Sequence, residues 1–252
     1  PQMDGLFREA ASARRRFLDR MAYNVQPGHA RSLAVYERAM RERNRLLKDG
    51  RLDPAWLDAL EAQMAEAGIA AAAARRETVA LLSAALDRTT VPEALFPAAA
   101  LALEGGIEGW LDEGPALRVE DRFRAVLAAG RRRDAAAGLT TAGPHRTDLA
   151  VTYRARGLPA GLCSTGEQKA LLIGIVLAHA RMLATAGRAP PILLLDEVAA
   201  HLDPDRRAAL FEELVAMGAQ AWMTGTEPAL FAALGDRAER FAVLDGSVDA
   251  AP

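Results

Sequence analysis

The hexapeptide Ile192-Leu193-Leu194-Leu195-Asp196-Glu197 constrains this 252-residue chain more than any other stretch. Four apolar residues with no polar alternation predict a strand covered on both faces, as in a parallel sheet flanked by helices. The run then ends in two carboxylates without a spacer. Such a strand hides its body in the sheet and delivers Asp196 to the C-terminal edge, where open α/β sheets bind ligands. Taken alone, the hexapeptide is equally a buried strand that ends in a solvated acidic turn.

The residues around it follow an α/β pattern from about 143 onward. A strand over Leu149–Tyr153 leads to a turn at Gly157-Leu158-Pro159 and a helix over 166–186. After the strand Ile192–Leu195 come a helix over Asp205–Met217, a strand over Ala221–Met223, a helix from Pro228 and a strand over Phe241–Leu244. Alternating elements with apolar strands predict a mostly parallel sheet with flanking helices. The first 140 residues read as helical. Leu33, Tyr36, Met40 and Leu47 keep a three-to-four spacing between Pro27-Gly28 and Lys48, and Asp49-Gly50 breaks it. Asp53-Pro54 then restarts a helix, as an N-cap followed by proline at the first helical position. Trp56, Leu57, Leu60, Met64, Val79, Leu82 and Leu86 carry it toward Asp87, a length of about 50 Å at 1.5 Å per residue. These two helices predict an antiparallel helical hairpin that projects as an arm. Pro92 and Pro97 end it, a short strand fits Ala100–Leu103 before Gly105-Gly106, and another helix fits Pro115–Arg133. The expected division is a helical arm subdomain over 1–142 and an α/β lobe over 143–252.

Charge is segregated behind a net value of −2. Residues 1–50 hold 11 Lys/Arg against 6 Asp/Glu, whereas residues 51–120 hold 5 against 12. The basic N-terminal helices are therefore the place to expect nucleic acid. Arg14, Arg15 and Arg16 are consecutive. Arg38, Arg41 and Arg45, three and four apart, share a helix face. A solvated charged face is the plainer reading of that helix taken alone. Cys163 is the single cysteine, so no intrachain disulfide forms, which fits a reducing cytosol. The longest apolar run, Ala170–Ala178, is far short of the roughly 20 residues that span a bilayer, and no membrane association is expected. Pro1-Gln2-Met3-Asp4 has neither the basic nor the apolar region of a signal peptide. It is not a natural translation start either, so the chain reads as a piece of a longer one.

Two further segments stand beside the acidic strand in a telling order. Ser164-Thr165-Gly166-Glu167-Gln168-Lys169 puts a hydroxyl and free backbone N–H groups at a helix start, which suits an anion and equally suits a simple N-cap. Ala200-His201-Leu202-Asp203 follows Glu197 by a short loop; alone, it is a turn whose Asp203 caps the next helix. Order and spacing together match the signature loop, Walker B strand and D-loop of an ABC-type ATPase. Asp196 then suits Mg²⁺ held through water, and Glu197 suits activation of the attacking water. Thr224 and Thr226 follow the next strand, where ABC proteins usually have a histidine. A threonine hydroxyl there can sense the γ-phosphate, and the sequence does not choose between the two. No G-x-x-x-x-G-K-[ST] occurs anywhere, so the phosphate cradle is missing. His29, His179 and His201 show no metal-ligand spacing among themselves or with Cys163.

Gly143-Pro144-His145-Arg146-Thr147-Asp148, a strand, and then the Ser164–Lys169 segment are very similar to the RecF family of repair ATPases. So are Pro1-Gln2-Met3-Asp4, Arg14-Arg15-Arg16-Phe17-Leu18-Asp19 and Arg133-Asp134, so the resemblance covers essentially the whole chain. It implies an ABC-type half-site that starts after the family's P-loop and does not hydrolyse ATP by itself. Glu197 would be the general base, with Asp196, Ser164, Gly166, Gln168, Asp203, Thr224 and Thr226 around Mg²⁺ and ATP in a composite site of an ATP-dependent homodimer. It further implies a cytoplasmic protein on duplex DNA near single-strand gaps, acting with RecO and RecR to load recombinase. DNA replication, recombination, fork recovery and the SOS response come with that role. His145 and Arg146 suit a structural role between arm and lobe, or a sensor of nucleotide or DNA. Two other readings compete: an SMC-like repair head, whose coiled coils are much longer than this hairpin of about sixty residues, and a non-catalytic DNA- or protein-binding module.

Overall fold

The computed structural model describes residues 5–50, 53–88, 92, 95–185 and 191–251. The opening Pro1–Asp4 and the last residue of the helix expected over 166–186 lie outside them.

Helices come first: α1 (Ala11–Val25), α2 (His29–Lys48) and α3 (Pro54–Asp87). The expected start of α3 is realised in its cap, where Asp53 accepts from the N–H groups of Ala55 and Trp56 at 3.0 and 3.3 Å and Pro54 follows. At 34 residues α3 is about 50 Å long. It packs antiparallel to α2 as the hairpin requires, but the hairpin does not stand alone. Helix α5 (Ala116–Ala137) lays Val119, Phe123 and Leu127 against Tyr36, Leu46, Leu57, Leu60 and Met64, so the arm is a three-helix body with its own core. Between them lie strand β1 (Ala99–Glu104) and a short helix, α4 (Gly106–Glu113), which the apolar spacing did not announce.

A second core joins the arm to the rest. Val79, Leu82 and Leu86 at the far end of α3 pack with Phe17, Leu18 and Met21 of α1. They also meet Leu149 and Val151 of β2 (Asp148–Tyr153) and Leu171, Leu172 and Ile175 of α6 (Thr165–Thr185). One rigid helix thus runs through both cores, and the boundary at 142/143 passes inside the second. Helix α6 is apolar nearly all round because its other face serves a third core. There Ala170, Ile173 and Leu177 meet Leu193 of β4 (Leu193–Leu195) and Leu210, Phe211 and Leu214 of α7 (Pro204–Met217).

Parallel pairing is confined to β4 and β5 (Ala221–Met223) among the described residues. Strand β2 pairs antiparallel with β1 and with β3 (Leu158–Pro159), and β6 (Arg240–Leu244) turns back on β7 (Ser247–Ala251). Nor is the β4–β5 pair covered on both faces, as its apolar run predicts. Leu193 is buried, but Leu194 is 77% exposed and Trp222, its partner across the pair, 54%. The expected helix from Pro228 is a run of 3₁₀ turns over Pro228–Arg237, broken at Gly235, whose φ of 54° no helix accommodates. No helix among the described residues is long and apolar enough to cross a membrane.

Candidate functional site

Strand register builds the site. Leu193, Leu194 and Leu195 pair with Ala221, Trp222 and Met223, so the residues that leave the two strands, Asp196 and Thr224, emerge side by side at one C-terminal edge. The Thr224 N–H extends the ladder one step to the Leu195 carbonyl at 3.2 Å. Its hydroxyl donates to Asp196 Oδ1 at 2.6 Å and accepts from the Glu197 N–H at 3.0 Å. Glu197 itself has φ 54°, in the left-handed region that few non-glycine residues enter. Asp196 is exposed and Glu197 half-buried, so both carboxylates can be reached from solvent. Thr226 is exposed in the following loop and has no bond to this cluster among the described residues.

At the N-terminus of α6 the cap and the anion-site readings meet. Ser164 Oγ accepts from the Glu167 N–H at 3.3 Å, while Glu167 Oε2 accepts from both the N–H and the hydroxyl of Ser164 at 2.8 Å each, a reciprocal capping box. These bonds from Ser164 hold the Glu167 carboxyl below its ordinary pKa. Arg156 Nη1 takes the other carboxylate oxygen at 2.6 Å. Ser164 and Gly166 are exposed, and a side chain added at Gly166 would meet nothing within 4 Å, while the N–H and hydroxyl of Ser164 are both spent on Glu167. Gln168 points the other way: it is buried, and its amide donates to the Cys163 carbonyl at 2.8 Å, which fixes the loop ahead of the helix. In the D-loop position Val198, Ala199 and Leu202 anchor a 3₁₀ turn in the third core. The exposed Asp203 caps α7 by accepting from the Arg206 N–H at 2.9 Å.

The six candidate DNA-contacting arginines separate into two groups. Arg14 forks onto Asp148 at 2.8 and 2.6 Å, and Arg15 donates to the Thr147 carbonyl at 2.7 Å. Both tie α1 to the start of β2 and are half-buried, whereas Arg16 is exposed. Arg38, Arg41 and Arg45 are all exposed on α2, with Arg41 3.6 Å from Glu37 one turn earlier.

The segment over residues 143–146 forms a junction in which Pro144 is buried and Gly143 and His145 are half-buried. His145 Nε2 donates to the Thr140 carbonyl at 2.9 Å, which leaves Nδ1 to accept from the Tyr36 hydroxyl at 2.6 Å. Burial lowers the pKa of His145 and favours that neutral form. Gly143 adopts φ 141°, and a Cβ there would lie 2.2 Å from the Tyr36 oxygen. Arg75 of α3 holds the Pro144 carbonyl at 2.6 Å and forks onto Asp19 of α1 at 2.8 and 3.0 Å. Burial pushes the Asp19 carboxyl up, but the bonds from His29 and Arg75 outweigh it and hold it below its ordinary value. Deeper in the arm Arg43 is fully buried. It bonds Glu61, Asp134, Thr140 and the Leu127 carbonyl at 2.8–2.9 Å. Arg43 and Arg75 were not singled out from the sequence, and Tyr36 and Asp19 stood there only for helix spacing and for the resemblance. Arg146 is exposed.

No family model matches the chain. It is 54% identical over 248 residues to the DNA replication and repair protein RecF of Rhizobium etli, which covers 98% of this chain and 66% of the relative. RecF of Mesorhizobium japonicum is 54% identical over 250 residues, covering 98% and 65%. The solved structure of the recombination mediator protein RecF-ATP in the RecFOR pathway superposes with a TM-score of 0.79 at 20% identity, covering 100% of this chain and 66% of that one. The chain thus spans just under two thirds of the length of its relatives.

Proposed function

The chain belongs to the RecF family, and from that premise we propose that it forms the signature and Walker B half of a composite ATPase site in a DNA-repair switch. The observation that carries this is the edge cluster: Asp196 and Glu197 leave β4 beside Thr224 of β5. Asp196 has one oxygen on Thr224 and the other without a bond among the described residues. One exposed carboxylate of this kind suits Mg²⁺, which uses one or two protein carboxylates and takes its remaining ligands from phosphate and water. When bound, the metal would neutralise charge developing on the phosphoryl oxygens. The Glu197 carboxylate takes the proton of the attacking water. Ser164 and Gly166, at the α6 N-terminus, reach the γ-phosphate bound by a second copy, so hydrolysis requires an ATP-held homodimer. The cradle comes from the family's P-loop segment, which would also cover the open Leu194–Trp222 face. The assembly works in the cytoplasm on duplex and gapped DNA, with RecO and RecR as partners in recombinase loading, fork recovery and the SOS response.

Ser164→Arg, in the chain completed with the family's P-loop segment, is expected to abolish ATP-dependent dimerisation while each monomer still binds ATP. A bulky cation at the helix start blocks the partner's phosphate. Ser164→Ala removes the cap, about 1 kcal/mol, without adding bulk, and is expected to keep the dimer. Sedimentation with ATP tests both; a normal dimer in the Arg variant would reduce Ser164 to a cap.

Arg38, Arg41 and Arg45 contact DNA phosphates, which give affinity without sequence preference. Reversing all three to Glu in the completed protein is expected to weaken duplex binding. Each lost contact lowers the slope of log K against log salt by about 0.9. ATPase activity without DNA stays near wild type. Unchanged affinity and slope in a salt titration would move the DNA surface off α2.

A further inference from the structure

We propose that the Thr224 hydroxyl is the positioning group of the hydrolytic site, holding the backbone that aims Glu197; this rests on the ATPase reading above. Glu197 occupies φ 54°, a conformation that a non-glycine residue keeps only where its surroundings impose it. The bond that imposes it is the one from the Glu197 N–H to Thr224 Oγ1, at 3.0 Å. A hydroxyl has a single proton to give, and here that proton goes to Asp196 Oδ1 at 2.6 Å. Donation and acceptance together fix the rotor. Thr224 is itself fixed, because its N–H closes on the Leu195 carbonyl at 3.2 Å and the parallel register of β4 and β5 sets it opposite Asp196.

Three consequences follow from this arrangement. The peptide of Glu197 is held without using its carboxylate, which stays available to water. One oxygen of Asp196 is oriented while the other faces outward. A hydroxyl, unlike an imidazole, also has no charge to lose across the physiological range. The same bonds separate Thr224 from Thr226, whose hydroxyl has no partner in this cluster. Thr224 thus acts through Glu197 and Asp196 rather than on substrate.

The test compares Thr224→Val, which keeps the shape and removes the hydroxyl, with Thr224→Ser, which keeps the hydroxyl, in the P-loop-completed protein. Misplacing a reacting group by about 1 Å costs up to about 100-fold. Val is therefore expected to lower kcat about 10- to 100-fold with KM for ATP within about threefold, and Ser to stay within about threefold of wild type. In the 252-residue chain alone, amide exchange at Glu197 is expected to quicken at least about tenfold in Val and to stay near wild type in Ser, since loss of the bond opens that N–H to water. Wild-type kcat in Val, or a Ser variant as slow as Val, would overturn the proposal even if Glu197→Gln is inactive. Unchanged exchange in Val would overturn it as well. A completed parent without ATPase activity, or a fully active Glu197→Gln, would instead remove the ATPase reading and the proposal with it.

Discussion

Glu197→Gln in the P-loop-completed protein is expected to lower ATP turnover by about 10²- to 10⁴-fold, the range a positioned general base contributes. ATP binding should survive. Gln has nearly the shape of Glu, and the contacts that seat this residue are made by its backbone N–H, not by its carboxylate. Asp196 and Thr224 keep their 2.6 Å bond, so the Asp196 side of the site is left intact. The variant loses an interaction made in the transition state and keeps those made in the ground state, so kcat falls while ground-state affinity does not. An ATP-held dimer should therefore accumulate. Single-turnover hydrolysis and sedimentation with ATP measure the two effects. Wild-type turnover would remove Glu197 as the base and leave the acidic pair as a solvated strand end. Turnover lost together with ATP binding would mean instead that the substitution collapsed the site.

How much of this was legible in the sequence depends on whether a contact is local. The Asp53 cap, the Ser164–Glu167 box and the Asp203 cap each lie within three residues, and composition announces them. The adjacency of Asp196 and Thr224 needs the register of two strands 28 positions apart. The sequence supplied both residues but could not choose between Thr224 and Thr226. An apolar run predicts burial on both faces, yet Leu194 is exposed, because a run states what a strand tolerates and not what covers it. The β6–β7 hairpin could have been found. Asp245-Gly246 is a strong two-residue hairpin signal, and both residues take the positive φ that it requires. The partners of Arg14 and Arg15, more than 130 positions away, were no more legible. Three like charges in a row suggest one surface, but successive helix positions point about 100° apart, and two of the three turned inward to Asp148 and the Thr147 carbonyl.

Arg43→Met is expected to destabilise the chain by about 3–5 kcal/mol, the cost of leaving a buried ion pair without one partner. Its signal in the sequence is an interruption. Tyr36, Ala39, Leu46 and Leu47 are the buried stripe of α2, and Arg43 stands at the position where that stripe continues. The structure supplies what a guanidinium needs to be there. Glu61 of α3 takes Nε, Asp134 of α5 and Thr140 take Nη1, and the Leu127 carbonyl takes Nη2. One side chain thereby closes three helices and the strand-ward loop, and Thr140 passes the constraint on to His145. Methionine fills the stem's volume but leaves the buried Glu61 and Asp134 carboxylates without the cation they share. Glu61 keeps Arg131, and Asp134 keeps the N–H and hydroxyl of Thr141, so neither carboxylate is wholly abandoned. Adding Glu61→Gln and Asp134→Asn to Arg43→Met should therefore recover a large share of the loss, because unpaired charge rather than lost bonds is the main cost. Urea unfolding of the 252-residue chain and these variants measures both steps. A loss below about 1 kcal/mol in Arg43→Met would show that the arm's core tolerates the pair undone. A triple variant no more stable than the single would locate the cost in the missing hydrogen bonds and make Arg43 a scaffold rather than a counter-charge.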